Sequence, residues 1–397
     1  METSMYEVIL DIPHLRINKV EIEEKTIRFN CETKSTEGVC PVCQSKTKVV
    51  HQYTTHKIRD LNISGREVYL MVKVRQFECS CGRYFNESLD FVEPNKSYTK
   101  RQAKWVFELS AKQPLSEVGA LTNMNTKTVE RIFYDSASRM SVDRYASVEK
   151  LGIDEISFRK GKKDYLCVLT DLDTGQTIDI LRTRKKEDLI AHFTSISNEN
   201  GQLFTDQVKV ICCDFWGPFI DIANKYFPNA TLVGDRFHST TYLNKVLDNT
   251  RKDLRKEFPE EEIFKNIKWL LFKNQNTLNK EDKLKLKSAF DLSPQLHELY
   301  EMAKTFTGIF DCSFSYDFGV QQVKQWINYA EMINQKHLTD FINFLQRNLN
   351  PILNYFKHPV SNAATEGNNN VLRTVKRFTF NMTNFEHFKA RCFAFKY

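Results

Sequence analysis

The run 208–213, VKVICC, is the most apolar short stretch of the chain, and it stops at a single carboxylate, Asp214. Such a run, followed by the amphipathic FWGPFIDIANKYF, predicts a buried strand that feeds a helix. The end of a buried strand in an α/β sheet is also where ligand sites collect. The surrounding segments extend the pattern. LGIDEISF, DYLCVLTDLDTG and TIDILRTR are three strand candidates, the last two joined by a turn at Thr174–Gly175. A helix over about 187–197 follows, and ATLVGDRFH closes the region as a short strand. Strands in a meander, then alternating with helices, predict a mixed sheet covered by helices, the α/β class.

The rest of the chain divides around this core. Residues 1–95 read as a β-rich module. Alternation begins near Val8 and gives a strand hairpin through Lys34. A second hairpin turns at Ser64–Gly65. Residues 96–145 change to a helical period, with two short helices around Asn123-Met124-Asn125. Leu115, Val118 and Leu121 face inward on the first, and Val129, Ile132 and Phe133 on the second. Gly119 permits close packing and Thr126 caps the second helix. Residues 146–238 form the first part of the core. Residues 239–358 are almost wholly helical and read as an insertion, with Trp269 and Trp326 in its core and LDNTRKDLRKEF as a solvated helix. Residues 359–397 supply the final helices.

Three acids stand in settings that suit metal chemistry. Asp154 lies on an apolar strand beside Glu155, and strand alternation lets only one of the two enter a site. Asp214 ends its strand; a helix cap is the plainer role for it. Glu366, in NAATEGNNN, opens a helix that Ser361 or Asn362 caps. Carboxylates brought together from two strand ends and a helix would bind Mg²⁺ or Mn²⁺ and serve phosphoryl transfer. Asp235 rivals Asp214, and His238 follows it within a turn, so both rank as accessory. Glu366, Asn370, Arg373 and Arg377 recur along one helical face, a carboxylate followed by cations that suit a DNA backbone.

Two further patterns concern structure and partners. Cys40-x-x-Cys43 and Cys79-x-Cys81 flank two strands and make a tetrahedral Zn²⁺ site, with His51 and His56 as alternative ligands. Zinc lets a small strand-rich module fold with little core. If the helix pair is a helix-turn-helix, Asn125, Thr126, Lys127 and Arg131 lie where base and phosphate contacts fall. The net charge of +7 suits a polyanionic partner. No apolar run is long enough for a membrane span, and the charged N-terminus lacks a signal-peptide core. Scattered cysteines in closely spaced pairs fit a reducing, cytoplasmic setting.

Together these blocks resemble the insertion-sequence transposases of the ISL-three family, of the DDE type. CPVC and HQYTTHKIRDLNISGREVYLMVKVRQFECSCGRYF resemble its zinc module, and LSEVGALTNMNTKTVERIF its helix-turn-helix. GIDEISFRKG, VICCDFWGPF, PNATLVGDRFH and NAATEGNNNVLRTVKRFTFNMTNFEHFKAR resemble its catalytic blocks. The resemblance implies an RNase H-like core interrupted by a helical insertion before the last acid. It makes Asp154, Asp214 and Glu366 the catalytic triad and Asp235 with His238 an accessory block. Two departures stand out: the distal cysteines are C-x-C, and Arg373 stands where a lysine-rich helix is usual. The implied activity is Mg²⁺-dependent cleavage and strand transfer on DNA, by a homodimer or larger assembly bound to terminal inverted repeats and target DNA. The implied location is cytoplasmic and nucleoid-associated. A domesticated, non-cutting DNA-binding regulator and a structure-selective nuclease are the rival readings. Retention of all three acids argues against the first, and footprints on defined terminal repeats separate the second.

Overall fold

The computed structural model describes residues 2–140, 143–159, 164–197, 201–312, 315–380 and 382–395. The chain forms two compact units, one of Met1–Val142 with Leu372–Tyr397 and one of Asp143–Val371.

The first unit opens with helix α1 (Glu2–Leu10), so residues 8–10 are helical and the hairpin starts only at β1 (Leu15–Ile22), which pairs with β2 (Thr26–Thr33). Two short strands, β3 (Gly38–Val39) and β4 (Lys46–Thr47), make a knuckle. The long strands β5 (Val50–Ile63) and β6 (Arg66–Glu78) then form a ribbon, with β7 (Tyr84–Asn86) paired to β6. The ribbon turns at Ser64–Gly65, where φ is 52° and 76°. Gly65 takes such a value without steric cost. The sheet order is β1-β2-β6-β5, and Phe29, Leu70, Val72 and Val74 fill its core.

Three helices follow: α2 (Lys100–Lys112), α3 (Leu115–Thr122) and α4 (Thr126–Ser138). Val106, Val118, Val129 and Ile132 make their shared core. A Cβ on Gly119 would lie 2.9 Å from the Met124 carbonyl oxygen, so the close packing of this turn needs glycine. Two sequence expectations are corrected here. Leu121 is exposed rather than inward, because α3 ends in the left-handed Asn123 and buries Thr122 instead. Asn125, not Thr126, caps α4, its side chain accepting from the Lys127 amide at 2.9 Å.

The second unit is built on β8 (Lys150–Arg159), β9 (Asp164–Asp171), β10 (Thr177–Leu181), β11 (Val210–Cys213) and β12 (Thr231–Gly234). The order is β10-β9-β8-β11-β12. The first three pair antiparallel, whereas β11 is parallel to both β8 and β12. Helices α5 (Lys186–Ser195), α6 (Phe204–Gln207) and α7 (Gly217–Tyr226) connect the strands, and Leu189, Phe193, Ile211 and Phe219 pack together. This is the RNase H-like mixed sheet expected from the sequence.

The last strand is shorter than its sequence suggested. It stops at Gly234, and Arg236-Phe237-His238 open helix α8 (Arg236–Glu257), because the Asp235 side chain accepts from the Phe237 amide and caps the helix. The insertion continues through α9 (Ile263–Asn266), α10 (Lys268–Phe272), α11 (Lys280–Leu292), α12 (Pro294–Cys312), α13 (Tyr316–Ile333), α14 (Lys336–Arg347) and α15 (Leu349–Leu353). It has its own core around Phe264, Phe306, Trp326 and Phe341. Trp326 is buried and donates to the Met302 carbonyl. Trp269 is 72% exposed, which corrects the expectation that both tryptophans are core. Helix α16 (Ala363–Phe378) begins in the second unit and ends in the first, and α17 (Phe385–Ala394) packs there on α2 and α4.

Candidate active site

The strand register puts three acids in one row. Cys213 of β11 aligns with Ile153 of β8 and with Gly234 of β12. The residue after each of these is an aspartate: Asp214, Asp154 and Asp235. All three therefore stand at neighbouring positions where the parallel strands end or pass, the place an α/β sheet offers to ligands. Gly234 keeps the row tight, since a Cβ there would lie 2.3 Å from the Phe215 ring.

Helix α8 adds His238. One ligand atom each of Asp154, Asp214 and His238 lies within 4.8 Å of the others, a grouping able to hold a metal ion. Asp154 also accepts from the Glu155 amide at 2.8 Å. Glu155 itself turns away and pairs with Arg184 at 2.9 Å, so of these two acids one serves the row and the other a surface pair. Asp214 accepts from the Trp216 amide at 3.1 Å, and Trp216, not Asp214, caps α7.

Burial, with the charge of Asp214 beside it, pushes the Asp154 carboxyl up to about 6, against the pull of the Glu155 amide and His238. Asp214 and Asp235 are raised too, in both cases chiefly by burial. Crowded carboxylates in a poorly solvated row are costly without a counter-ion, and a divalent cation removes that cost.

Glu366 lies in the first turn of α16. It is exposed and outside the Asp154–Asp214–His238 grouping. It shares the wall of a cavity of about 320 Å³ with Asp235, Phe237 and Ser361, and its charge contributes to the raised Asp235 carboxyl. The helix is fastened beside the row by polar contacts. Asn362 donates to the Ile153 carbonyl at 2.9 Å, Asn368 to the Thr170 hydroxyl at 3.0 Å, and Asn369 to Asp154 at 2.7 Å. Asn362 also precedes the helix and accepts the Glu366 amide through its carbonyl, in line with its expected capping position. A Cβ on Gly152 would lie 2.6 Å from the Thr365 hydroxyl and 2.8 Å from the Asn362 side-chain oxygen, so this docking needs glycine in β8.

Sequence reasoning missed these anchors. The signal was present in the spacing: Thr365, Asn368, Asn369, Leu372 and Val375 recur at helical intervals and are all buried. The polar first half of that stripe hides it from a search for apolar periodicity. The opposite face carries Glu366, Asn370, Arg373 and Arg377, all exposed.

The four cysteines of the knuckle form a second centre. Cys40, Cys43, Cys79 and Cys81 offer sulfurs all within 4.8 Å of one another. Cys40 and Cys81 are 3.8 Å apart, Cys43 and Cys79 3.4 Å. Four sulfurs at about 2.3 Å around tetrahedral zinc are about 3.8 Å apart. Hydrogen bonds from Ser45 draw the Cys43 thiol down to about 6, toward the thiolate that zinc binds. The short C-x-C spacing is accommodated by a tight turn in which Gly82, at φ 82°, donates to the Cys79 carbonyl. His51 lies tilted against the Tyr84 ring and His56 meets Thr54, and neither is grouped with the sulfurs. At the helix pair, Asn125, Thr126, Lys127 and Arg131 are all exposed at the start of α4.

Comparisons with known proteins follow the same order along the chain. A zinc-finger family of the transposases IS204, IS1001, IS1096 and IS1165 matches residues 36–81. The helix-turn-helix domain of transposase family ISL3 matches residues 87–137, and the ISL3 family described as transposase matches residues 151–392. The transposase for insertion sequence element IS1001 of Bordetella parapertussis is 25% identical over 382 residues, covering 94% of this chain and 92% of its own. The transposase for IS1557 of Mycobacterium tuberculosis, strain H37Rv, is 22% identical over 277 residues, 64% of this chain and 60% of its own. With the ISL3 transposase match spanning over half of its length, and the zinc-finger and helix-turn-helix matches ahead of it, this chain belongs to the ISL3 family of transposases.

Proposed function

We propose that this chain is the DNA transposase of a bacterial insertion sequence, binding the terminal inverted repeats of its element and cutting and joining DNA there. The observation that carries the reading is the convergence of Asp154 in β8, Asp214 at the end of the neighbouring β11 and His238 of α8. Asp154 and Asp214, grouped with His238, would hold Mg²⁺ (or Mn²⁺), and Glu366, outside that grouping on the wall it shares with Asp235, would complete the set from α16; the bound ion would lower the pKa of water or a 3′-hydroxyl and offset phosphorane charge. The chain's own residues supply the rest. Asp154, midway along β8, and Asp214, just past the end of β11, present fixed carboxylates at neighbouring positions. Asn369 orients Asp154, and Asn362 holds the start of the Glu366 helix. Asp235 fixes α8 and so the position of His238. Arg373 and Arg377 continue the Glu366 face with charge suited to phosphates.

The N-terminal unit would recognise the element's ends through Asn125, Thr126, Lys127 and Arg131, with zinc at the four cysteines holding the knuckle. The domain division at 1–95, 96–145, 146–238, 239–358 and 359–397 belongs to this reading. Two ends must be processed together, which calls for a homodimer or larger assembly on DNA. A cytoplasmic, nucleoid-associated location follows from that substrate, and no described helix is long and apolar enough to cross a membrane. The test is strand cleavage on a duplex carrying the element's end. Asp154→Asn, Asp214→Asn and Glu366→Gln should each abolish Mg²⁺-dependent cleavage, and wild-type cleavage by any of them removes that residue from the site.

A further inference from the structure

The exposed end of the β5–β6 ribbon carries chemistry that the core does not use. Residues 51–57 of β5 are exposed one after another, on both faces of the strand. From Lys48 to Lys57 the sequence holds no acid. On the outward face Tyr53, Thr55 and Lys57 align with Arg75, Lys73 and Met71 of β6. The Lys57 ammonium sits 3.9 Å from the Tyr69 ring centre and that of Lys73 4.3 Å from Tyr53. Among the described residues, no ion pair of this unit involves either lysine. On this face Arg75 is taken up by Glu87 and Glu32, whereas Lys57 and Lys73 keep their ammonium groups on exposed aromatic-flanked positions at the β5 side of the sheet. Exposed cations interleaved with aromatics complement the phosphate backbone of a duplex.

The root of the ribbon is locked to the helix-turn-helix. Arg59, two residues beyond Lys57, is buried and donates to the Thr122 carbonyl at the end of α3, at 3.0 Å. Its neighbour Asp60 is fully buried and accepts from Thr99 and Arg101. The ribbon is thus bonded to α2 and to the end of α3, within the same compact unit as α4.

We propose that the outward face of this ribbon is a second duplex-DNA contact of the chain, with Lys57 and Lys73 on backbone phosphates and Tyr53 against the sugars. The inference rests on the reading that the chain binds the ends of its element. The stretch from Lys57 to His51 is about 20 Å at about 3.3 Å per residue. That length adds about six base pairs to the duplex held by α4, at about 3.4 Å each.

The test uses the full chain, a duplex carrying the terminal sequence of its own element, and a scrambled duplex of equal length, read by fluorescence anisotropy across a salt series. Lys57→Ala with Lys73→Ala should weaken both duplexes about 10-fold and lower the slope of log affinity against log salt by about two. It should also shorten the hydroxyl-radical footprint on one side by about half a helical turn. Zinc content and melting should not move, since both side chains are exposed. An unchanged slope and footprint would overturn the inference, and the lysines then only keep an edge strand from pairing. A companion variant, Lys127→Ala with Arg131→Ala, separates the two levels of the claim. If that variant weakens binding while the ribbon variant matches wild type, only the ribbon contact fails. If the wild-type chain binds neither duplex, the DNA reading fails with it.

Discussion

The side-chain amide of Asn369 donates to the Asp154 carboxylate at 2.7 Å, across 215 residues of chain. Asn369 lies one turn beyond Glu366 on α16, so this bond ties the helix of the last acid to the first acid of the row. A hydrogen bond to a charged, poorly solvated acceptor contributes about 1.5–3 kcal/mol. Asn369→Ala should slow strand cleavage about 10-fold to 100-fold while leaving DNA binding intact. Single-turnover cleavage and anisotropy on the same duplex measure both. A loss confined to binding would contradict the positioning role.

Gly152 tests the same docking from the strand side. Gly152→Ala places a methyl group against Thr365, Leu172 and Asn362 at 2.6–2.8 Å. The Thr365 and Asn362 side chains are buried and tie the start of α16 to β8, so they yield only at the expense of that docking, and overpacking of this kind costs about 1–3 kcal/mol. Lower melting together with slower cleavage is expected. A fully stable, fully active variant would mean that the helix is not held where the structure has it.

The pH response of the metal-free protein has a definite sign. Burial lifts the Asp154 carboxyl from 3.8 to about 6. The folded chain thus keeps this proton to higher pH than the unfolded chain does. Stability falls as pH rises between about 4 and 6, and it stays reduced above that window. Asp154→Asn should flatten the fall, and Mg²⁺ should raise stability chiefly above pH 6, where the carboxylate is free to bind it. Urea midpoints from pH 4.5 to 7.5, with and without Mg²⁺, decide this.

At the knuckle, the five-stranded sheet has an apolar core of its own, which the zinc site does not supply. Cys40→Ser should abolish stoichiometric zinc, and hydrogen exchange should rise in residues 36–49 and 79–84 while the core strands stay protected. Exchange throughout the sheet would instead make zinc the organiser of the whole module.

Much of this architecture was legible in the chain, and the exceptions have physical causes. The mixed, helix-covered sheet of the core followed from VKVICC, its terminal aspartate and the meander before it, whereas the strand order did not. The Ser64–Gly65 turn and the insertion's helices followed from spacing. Leu121 lies in the last turn of α3, whose inward face there is taken by Val118, Gly119 and Thr122 before the left-handed Asn123 ends the helix. Trp269 was misplaced because α10 has only five residues, too short to fix an inward face by periodicity. His238 was assigned an accessory place, yet it lies within ligand distance of Asp154 and Asp214. That position depends on Asp235 starting α8 three residues earlier than the strand pattern suggested. The anchoring role of Asn368 and Asn369 on α16 was not legible, since polar anchors carry no apolar period.

The most direct test of the account is metal-dependent nicking of a duplex that carries the element's own terminal repeat. The wild-type chain should cut at the repeat's end with Mg²⁺ and not with EDTA. Asp154→Asn and Asp214→Asn, still folded and still binding the repeat, should leave the strand intact. Cleavage by both variants at the wild-type rate would contradict the claim that the neighbouring aspartates of β8 and the end of β11 carry the chemistry.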